Sequence, residues 1–442
     1  VTLGADTTLT ALTTSFAGTL NSTTSARDLT FGTGSGNVTF TGAVGSGTAL
    51  DVITNIAGQT LTFSDAVTAT TIANYGTLLF NATSAKTISP AITDNGDTTI
   101  QVISNNNSNI SLITFSGSVA ADTITVGSSA KAGSALFSGA VSGTNISIIG
   151  GDAASSAENS QATFANTVTV TAITLDNNTS TATVTFSGTA KTITGTINGA
   201  AAGEGTIVVS GTPTFASTIG NSFRPAQLTI NGATTFQAAV QTTLLTTTVG
   251  SSGTTLDVSG ASSIGADFTT TGNQTYTGNV TLTAAGQTLT TTSNGNISFG
   301  GTITGSAKHL ALNTGLTSGT ISVTGAVGSG GAVQITISQS AGTTFSSTVN
   351  ATTLTLSDTT GTITFTGALT ATTLTTAVKA YNIAINGGST ITNAATFSNS
   401  GTLTLAGTTA FTKGVTAIAP SGISLNGTVT AANTRPNALF IG

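Results

Sequence analysis

Residues 365–376 read FTGALTATTLTT, and the parity of this stretch decides the fold. Phe365, Gly367, Leu369 and Ala371 share one parity, while Thr366, Ala368, Thr370 and Thr372 share the other. Alternation with period two places the first set on one face of a strand. After Ala371 the phase slips by one residue, and Leu374 resumes the apolar face. The same slip stands in FANTVTVTAITL (164–175) and in FSSTVNATTLTL (345–356). A slip at a fixed place predicts a corner between two short strands. A third apolar pair follows a polar turn, as in LSDTTGTITF (356–365), and leads into the next Phe. One unit is then three short strands and three corners in about 23 residues, too short to bury its own apolar face.

The opening phrase, F-x-[G/S/A]-x-[V/I/L], recurs along the chain. Copies include FAGTL (16–20), FTGAV (40–44), FSGAV (137–141), YTGNV (276–280), FTKGV (411–415) and LNGTV (425–429), with ISPAI (88–92) as a copy without Phe. Copies lie roughly 20–27 residues apart, the mark of a stacked repeat architecture. Stacking solves the burial problem, because each strand pairs in parallel with its equivalents about 4.8 Å above and below. The expected core is Phe16, Phe40, Phe63, Phe115, Phe137, Phe164, Phe186, Phe215, Phe236, Phe299, Phe345, Phe365 and Phe411, with the rings inside one column. The small residue two after each Phe is read as inward, leaving room for the ring or a bend. Outward Thr can hydrogen-bond to Thr of the neighbouring coil.

This reading gives an all-β parallel solenoid of about 19 coils, a rod on the order of 90 Å long, running as one domain from 1 to 442. GGDAASSAENSQ (150–161) and GAAAGEG (199–205) read as loops leaving it, and NNNSN (105–109) as a loop or an Asn-rich corner. Tandem β-sandwiches would show a period near 90–100 residues. A meander needs a hairpin signal between every strand pair, and Asn95-Gly96, Asn231-Gly232 and Asn386-Gly387 are too sparse for that.

Composition narrows the function. Charged residues are 5% of 442, with a net charge of −5, against roughly 25% in ordinary soluble domains. No basic stripe exists to neutralise phosphates, so nucleic acid is not an expected partner. No apolar run reaches the roughly 18–20 residues of a membrane-spanning helix. Cys is absent, removing disulfides and thiolate metal sites. The chain opens at Val1 without an apolar leader, which fits a fragment or a mature chain whose leader was removed.

The phrase F-x-G-x-V-x-A-x-x-L-x-L, in a Thr/Ser/Gly/Ala background from about Phe16 to Val429, resembles bacterial β-strand-repeat surface proteins. These include filamentous-haemagglutinin-like exoproteins and autotransporter passengers. The resemblance implies a right-handed parallel β-helix, secreted or on the cell surface, serving as a fibre or in adhesion. The secretion domain and the membrane barrel of complete members are not recognisable here.

Candidate chemistry is thin. The one histidine, His309, sits beside Lys308 and could be a base with a neighbouring cation, but a solvent-facing corner pair is the plainer reading. Asp94-Asn95-Gly96-Asp97 looks like half of a calcium loop without its bidentate Glu, so a turn is expected. Gly150-Gly151-Asp152 is a lone fragment of another calcium motif, and Lys86, Lys131, Lys191, Lys308, Lys379 and Lys413 are dispersed. Sequons such as Asn21, Asn37, Asn81, Asn279 and Asn350 are common by chance in such a chain. No catalytic, cofactor or metal site is expected. The leading function is a non-enzymatic extracellular fibre, assembling head to tail with copies of itself. The alternative is a carbohydrate-binding or carbohydrate-active β-helix with host or matrix glycans as partners. A row of Asp, Tyr and Lys on one face would favour the alternative, but Tyr75, Tyr276 and Tyr381 are far apart in sequence.

Overall fold

The computed structural model describes all residues except 11–12, 105–109, 153–158, 231–233, 239, 241–243, 248–255, 259–260, 265–266, 271, 284, 432–438 and 442. The chain is all-β, with parallel strands stacked in solenoid turns, about 18 of them and about 22 residues apart. The described residues group into two compact units, Val1–Thr229 and Ile230–Gly442.

The second unit shows a turn most plainly. Gly342–Phe345 is followed by Val349–Leu356, then Thr362–Phe365 by Leu369–Thr376. Phe365 stacks on Phe345 and Leu369 on Val349, one turn apart. Phe345, Val349, Leu354, Ile363 and Phe365 are buried, as their parity requires. At the phase slip, pairing passes from Ala351–Ala371 to Thr353–Thr373, leaving out Thr352 and Thr372. One residue outside the ladder bends the strand without ending it. A turn here is therefore a short strand and a long bent one, rather than three separate strands. Val119–Gly127, Val141–Ile149 and Val168–Asp176 in the first unit are built alike.

The Phe rings do not form the single column expected. In the first unit Phe16, Phe40, Phe63 and Phe80 follow one ladder, with centroids 5.0, 5.2 and 5.5 Å apart. That ladder continues as Val102, Val126, Ile148 and Leu175. Phe115, Phe137, Phe164 and Phe186 lie on a second face, above Ile88. Phe215 lies on the third, above Ile193 and Val168. The two handovers are perpendicular ring contacts, Phe80–Phe115 at 5.1 Å and 90° and Phe186–Phe215 at 5.1 Å and 89°. Spacing explains them. Phe115 and Phe137 are 22 residues apart and share a face, whereas Phe186 and Phe215 are 29 apart, a turn and about a third.

In the second unit Phe299, Phe345 and Phe365 share a ladder with Tyr276, Val323, Ile385, Leu405 and Leu425. Phe411 has moved to the neighbouring face, above Ile391 and Ala371. The backbone of Phe236 pairs with Val258, but its side chain lies outside the described residues. The other expected core rings are buried except Phe16, which is half-buried in the first turn.

The phrase glycine is not inward. Gly139 lies in the bend after Phe137, where a methyl would overlap the carbonyl of Gly117 in the turn beneath. Glycine here permits backbone-on-backbone stacking. Corner asparagines, unrecognised in the sequence beyond their sequons, bind turn to turn. Asn37 Oδ1 accepts from the Thr60 N–H at 3.0 Å, and Asn279 Oδ1 from the Thr302 N–H at 3.0 Å. Asn382 Oδ1 accepts from both the N–H and the hydroxyl of Thr402.

Of the expected loops, 153–158 and 105–109 lie outside the described residues, as does Asn231-Gly232. Ser160 and Gln161 belong instead to the strand Ser160–Phe164. Gly199 ends the strand Thr189–Gly199, and a turn follows, closed where Glu204 accepts from the Ala201 N–H at 3.1 Å.

Candidate functional site: an acidic corner and an open coil edge

The residues weighed for chemistry stay apart. His309 starts the strand His309–Asn313 and is half-buried, with Nε2 2.9 Å from Thr336 Oγ1 in the next turn. Among the described residues no group of three His, Asp or Glu could hold a metal ion. Two lysines are paired rather than merely solvated: Lys86 with Asp65 at 2.6 Å and Lys379 with Asp358 at 3.4 Å. Burial raises the Asp65 pKa, but the hydrogen bond from Lys86, the Ala66 N–H and the lysine charge outweigh it, and the net direction is down. Lys413 donates to Asn393 Oδ1 at 3.1 Å.

Two of the three tyrosines are core. Tyr276 is buried with its hydroxyl 3.2 Å from Gln274 Oε1, and burial pushes its pKa far up. Tyr381 donates to the Leu356 carbonyl at 2.8 Å and accepts from the Ala377 N–H at 3.1 Å. Burial, opposed by the Ala377 hydrogen bond and aided by the Asp358 charge, raises it to about 12.

The first unit gathers acids at one corner. Asp94 pairs with Asn74, so exposed Tyr75 falls one turn beneath Asn95. Asp94 Oδ1 accepts from the Gly96 N–H and the Thr98 hydroxyl, making the expected turn. The next turn brings Asp122, which accepts from the Thr98 N–H at 3.2 Å and from the Thr144 hydroxyl at 3.4 Å. Asp97, Asp122, Thr144 and Asn145 line an open recess of about 320 Å³. The signal available in the sequence was spacing. Tyr75, Asn95 and Asp122 follow one another at steps of about one turn, which only the true turn length makes visible.

The second feature is a strand edge. Gly422–Ala431 pairs with Thr402–Phe411 on one side, and no described strand pairs with its other side. Leu403 and Leu405 are 0% and 2% exposed, yet Leu425, stacked on Leu405, is 46% exposed. Ile418, just after the strand Val415–Ala417, is also exposed.

No protein-family model, curated protein or solved structure matches the chain.

Proposed function

We propose that this chain is a non-enzymatic, extracellular or cell-surface fibre protein whose coil stacks associate end to end with further copies. The observation that carries the reading is the turn-on-turn stacking of parallel strands, as in the ladders through Phe345 and Phe365 and through Val349 and Leu369. A stack of this kind grows by adding like turns, each joined to the next by backbone pairing and apolar burial. The resemblance of the repeated phrase to bacterial surface β-strand repeats supports the extracellular placement and the fibre role. The test is sedimentation of the purified chain over a wide concentration range, with electron micrographs of the same samples. Concentration-dependent linear assemblies are expected. A stable monomer at the highest concentration overturns the reading.

A second reading, glycan binding, draws on exposed Tyr75, one turn beneath Asn95, and on the recess lined by Asp97 and Asp122. An exposed ring offers a sugar a stacking surface, and free carboxylate oxygens accept from hydroxyls. A glycan-binding screen with Tyr75→Ala and Asp97→Asn tests it. Binding lost in both variants favours this reading, and the absence of any bound glycan removes it.

A further inference from the structure

An Asn-Gly pair carries its own reactants. The glycine nitrogen can attack the side-chain carbonyl carbon of the asparagine, and glycine, lacking a Cβ, lets backbone approach closely. Described pairs stand at Asn95-Gly96, Asn198-Gly199, Asn294-Gly295, Asn386-Gly387 and Asn426-Gly427. In four of them the stack of turns holds the glycine. The Gly199 N–H donates to the Phe223 carbonyl at 3.1 Å, while Asn198 Oδ1 accepts from the Ser222 N–H at 3.1 Å. The Gly387 N–H is directed at the Phe365 carbonyl, 3.3 Å away in the turn beneath. Gly295 is buried, and a methyl on it would overlap the Gly272 carbonyl. Asn426 and Gly427 lie in the ladder with Ala406 and Gly407.

Gly96 is not held by the stack. It and Asn95 are exposed, and a methyl on Gly96 would meet nothing within 4 Å. Its N–H donates to the carboxylate of Asp94, with Oδ1 at 3.2 Å, instead of to the turn beneath. Asn95 is anchored on both sides. Its N–H donates to the Asn74 carbonyl at 3.0 Å, and its Nδ2 donates to Thr93 Oγ1 at 2.9 Å. A fixed carboxamide therefore adjoins a glycine nitrogen that no neighbour crowds. A carboxylate already accepts the hydrogen which that nitrogen has to lose.

We propose that Asn95-Gly96 is a self-modification site, at which the chain turns Asn95 into a carboxylate without an enzyme. The Gly96 nitrogen bonds to Asn95 Cγ, and its proton passes to the Asp94 carboxylate. The bond from Cγ to Nδ2 breaks, and Nδ2 leaves with that proton as ammonia. One water then opens the resulting five-membered succinimide at either of its carbonyls, giving aspartate or isoaspartate. Nothing is oxidised or reduced; ammonia is lost and water is gained. The product adds a negative charge to the corner of Asp94, Asp97 and Asp122, one turn above Tyr75. The corner thus grows more acidic as the molecule ages.

The test is to hold the folded chain in neutral buffer and follow every Asn-Gly pair by peptide mapping with mass spectrometry. Asn95 should convert at least about tenfold faster than Asn198, Asn294 and Asn386. In the urea-unfolded chain, where only the local sequence acts, the pairs should convert at similar rates. Asp94→Asn should slow conversion of Asn95 several-fold in the folded chain and leave the unfolded rate unchanged. A folded chain in which Asn95 converts no faster than the other pairs overturns the proposal. So does an Asn95 that leads by the same margin in urea, since the fold would then have no part in it. An unchanged folded rate in Asp94→Asn overturns the role given to that carboxylate.

Discussion

A single methyl group separates two kinds of glycine in this molecule. At Gly139 it would strike the Gly117 carbonyl beneath, and backbone cannot step aside as a side chain can. Gly139→Ala is expected to cost about 1–3 kcal/mol, the range for overpacking, read as a lower denaturant midpoint. An unchanged midpoint would show that the stack yields along its axis. Gln287 makes the opposite case. It faces inward, opposite Leu310, with both polar atoms of its carboxamide buried and without a partner among the described residues. An unsatisfied buried polar group costs about 1–3 kcal/mol, so Gln287→Leu should raise the midpoint; a lower one would mean the amide has a partner after all. These roles were only partly legible in the sequence. The parity of Phe365, Leu369 and Ala371 sufficed to send those side chains inward, because period two is a local property. Gly367 shares that parity, so it was read as inward too, although its contact is with Ser347 one turn away. Asn37 failed in the same way: N-x-T is visible locally, while its acceptor role toward Thr60 is set by the turn length.

At the scale of the strand, the bent ladders put buried phenols under strict control. Tyr381 ties Leu356 to Ala377, bridging strands of successive turns. Its folded pKa, about 12, lies above the ordinary phenol value of about 10. The neutral form is therefore the one the fold favours. This contribution is complete below pH 10 and is lost as pH rises through 12, because the unfolded chain releases its proton first. Tyr276 shifts in the same direction. Denaturant midpoints measured from pH 9 to 12 should fall, and the fall should be shallower in a Tyr276→Phe, Tyr381→Phe double variant. An equally steep fall in the variant would assign the loss to other groups. The handover of Phe rings between faces belongs to this scale as well. The 29-residue step from Phe186 to Phe215 was in plain view, but a variable period reads as loop length until the ladder shows it to be a turn and about a third.

For the molecule as a whole, what holds one turn to the next is also what would hold one copy to the next. Within each unit the contacts between turns are mainly backbone ladders and apolar columns, joined by corner hydrogen bonds such as Asn37 to Thr60 and by ion pairs such as Lys86–Asp65 and Lys379–Asp358. Stability in such a stack is approximately a sum of turn and neighbour terms, and a junction of the same kind adds one more term of the same character. Charge has little part in it, since 23 charged side chains are spread over 442 residues with a net −5. Screening at 0.15 M salt already reduces the reach of exposed charges to about 8 Å. Association should therefore change less than about threefold between low and high salt, whereas contacts resting on several charge pairs lose affinity steeply with salt. Moderate urea, which solvates both peptide and apolar groups, should dissolve the assemblies well before the turns themselves unfold, because a junction is one interface and a stack is many. Sedimentation across a salt series and a urea series decides the matter. A steep salt dependence would place the contact on charged side chains and away from backbone and apolar groups.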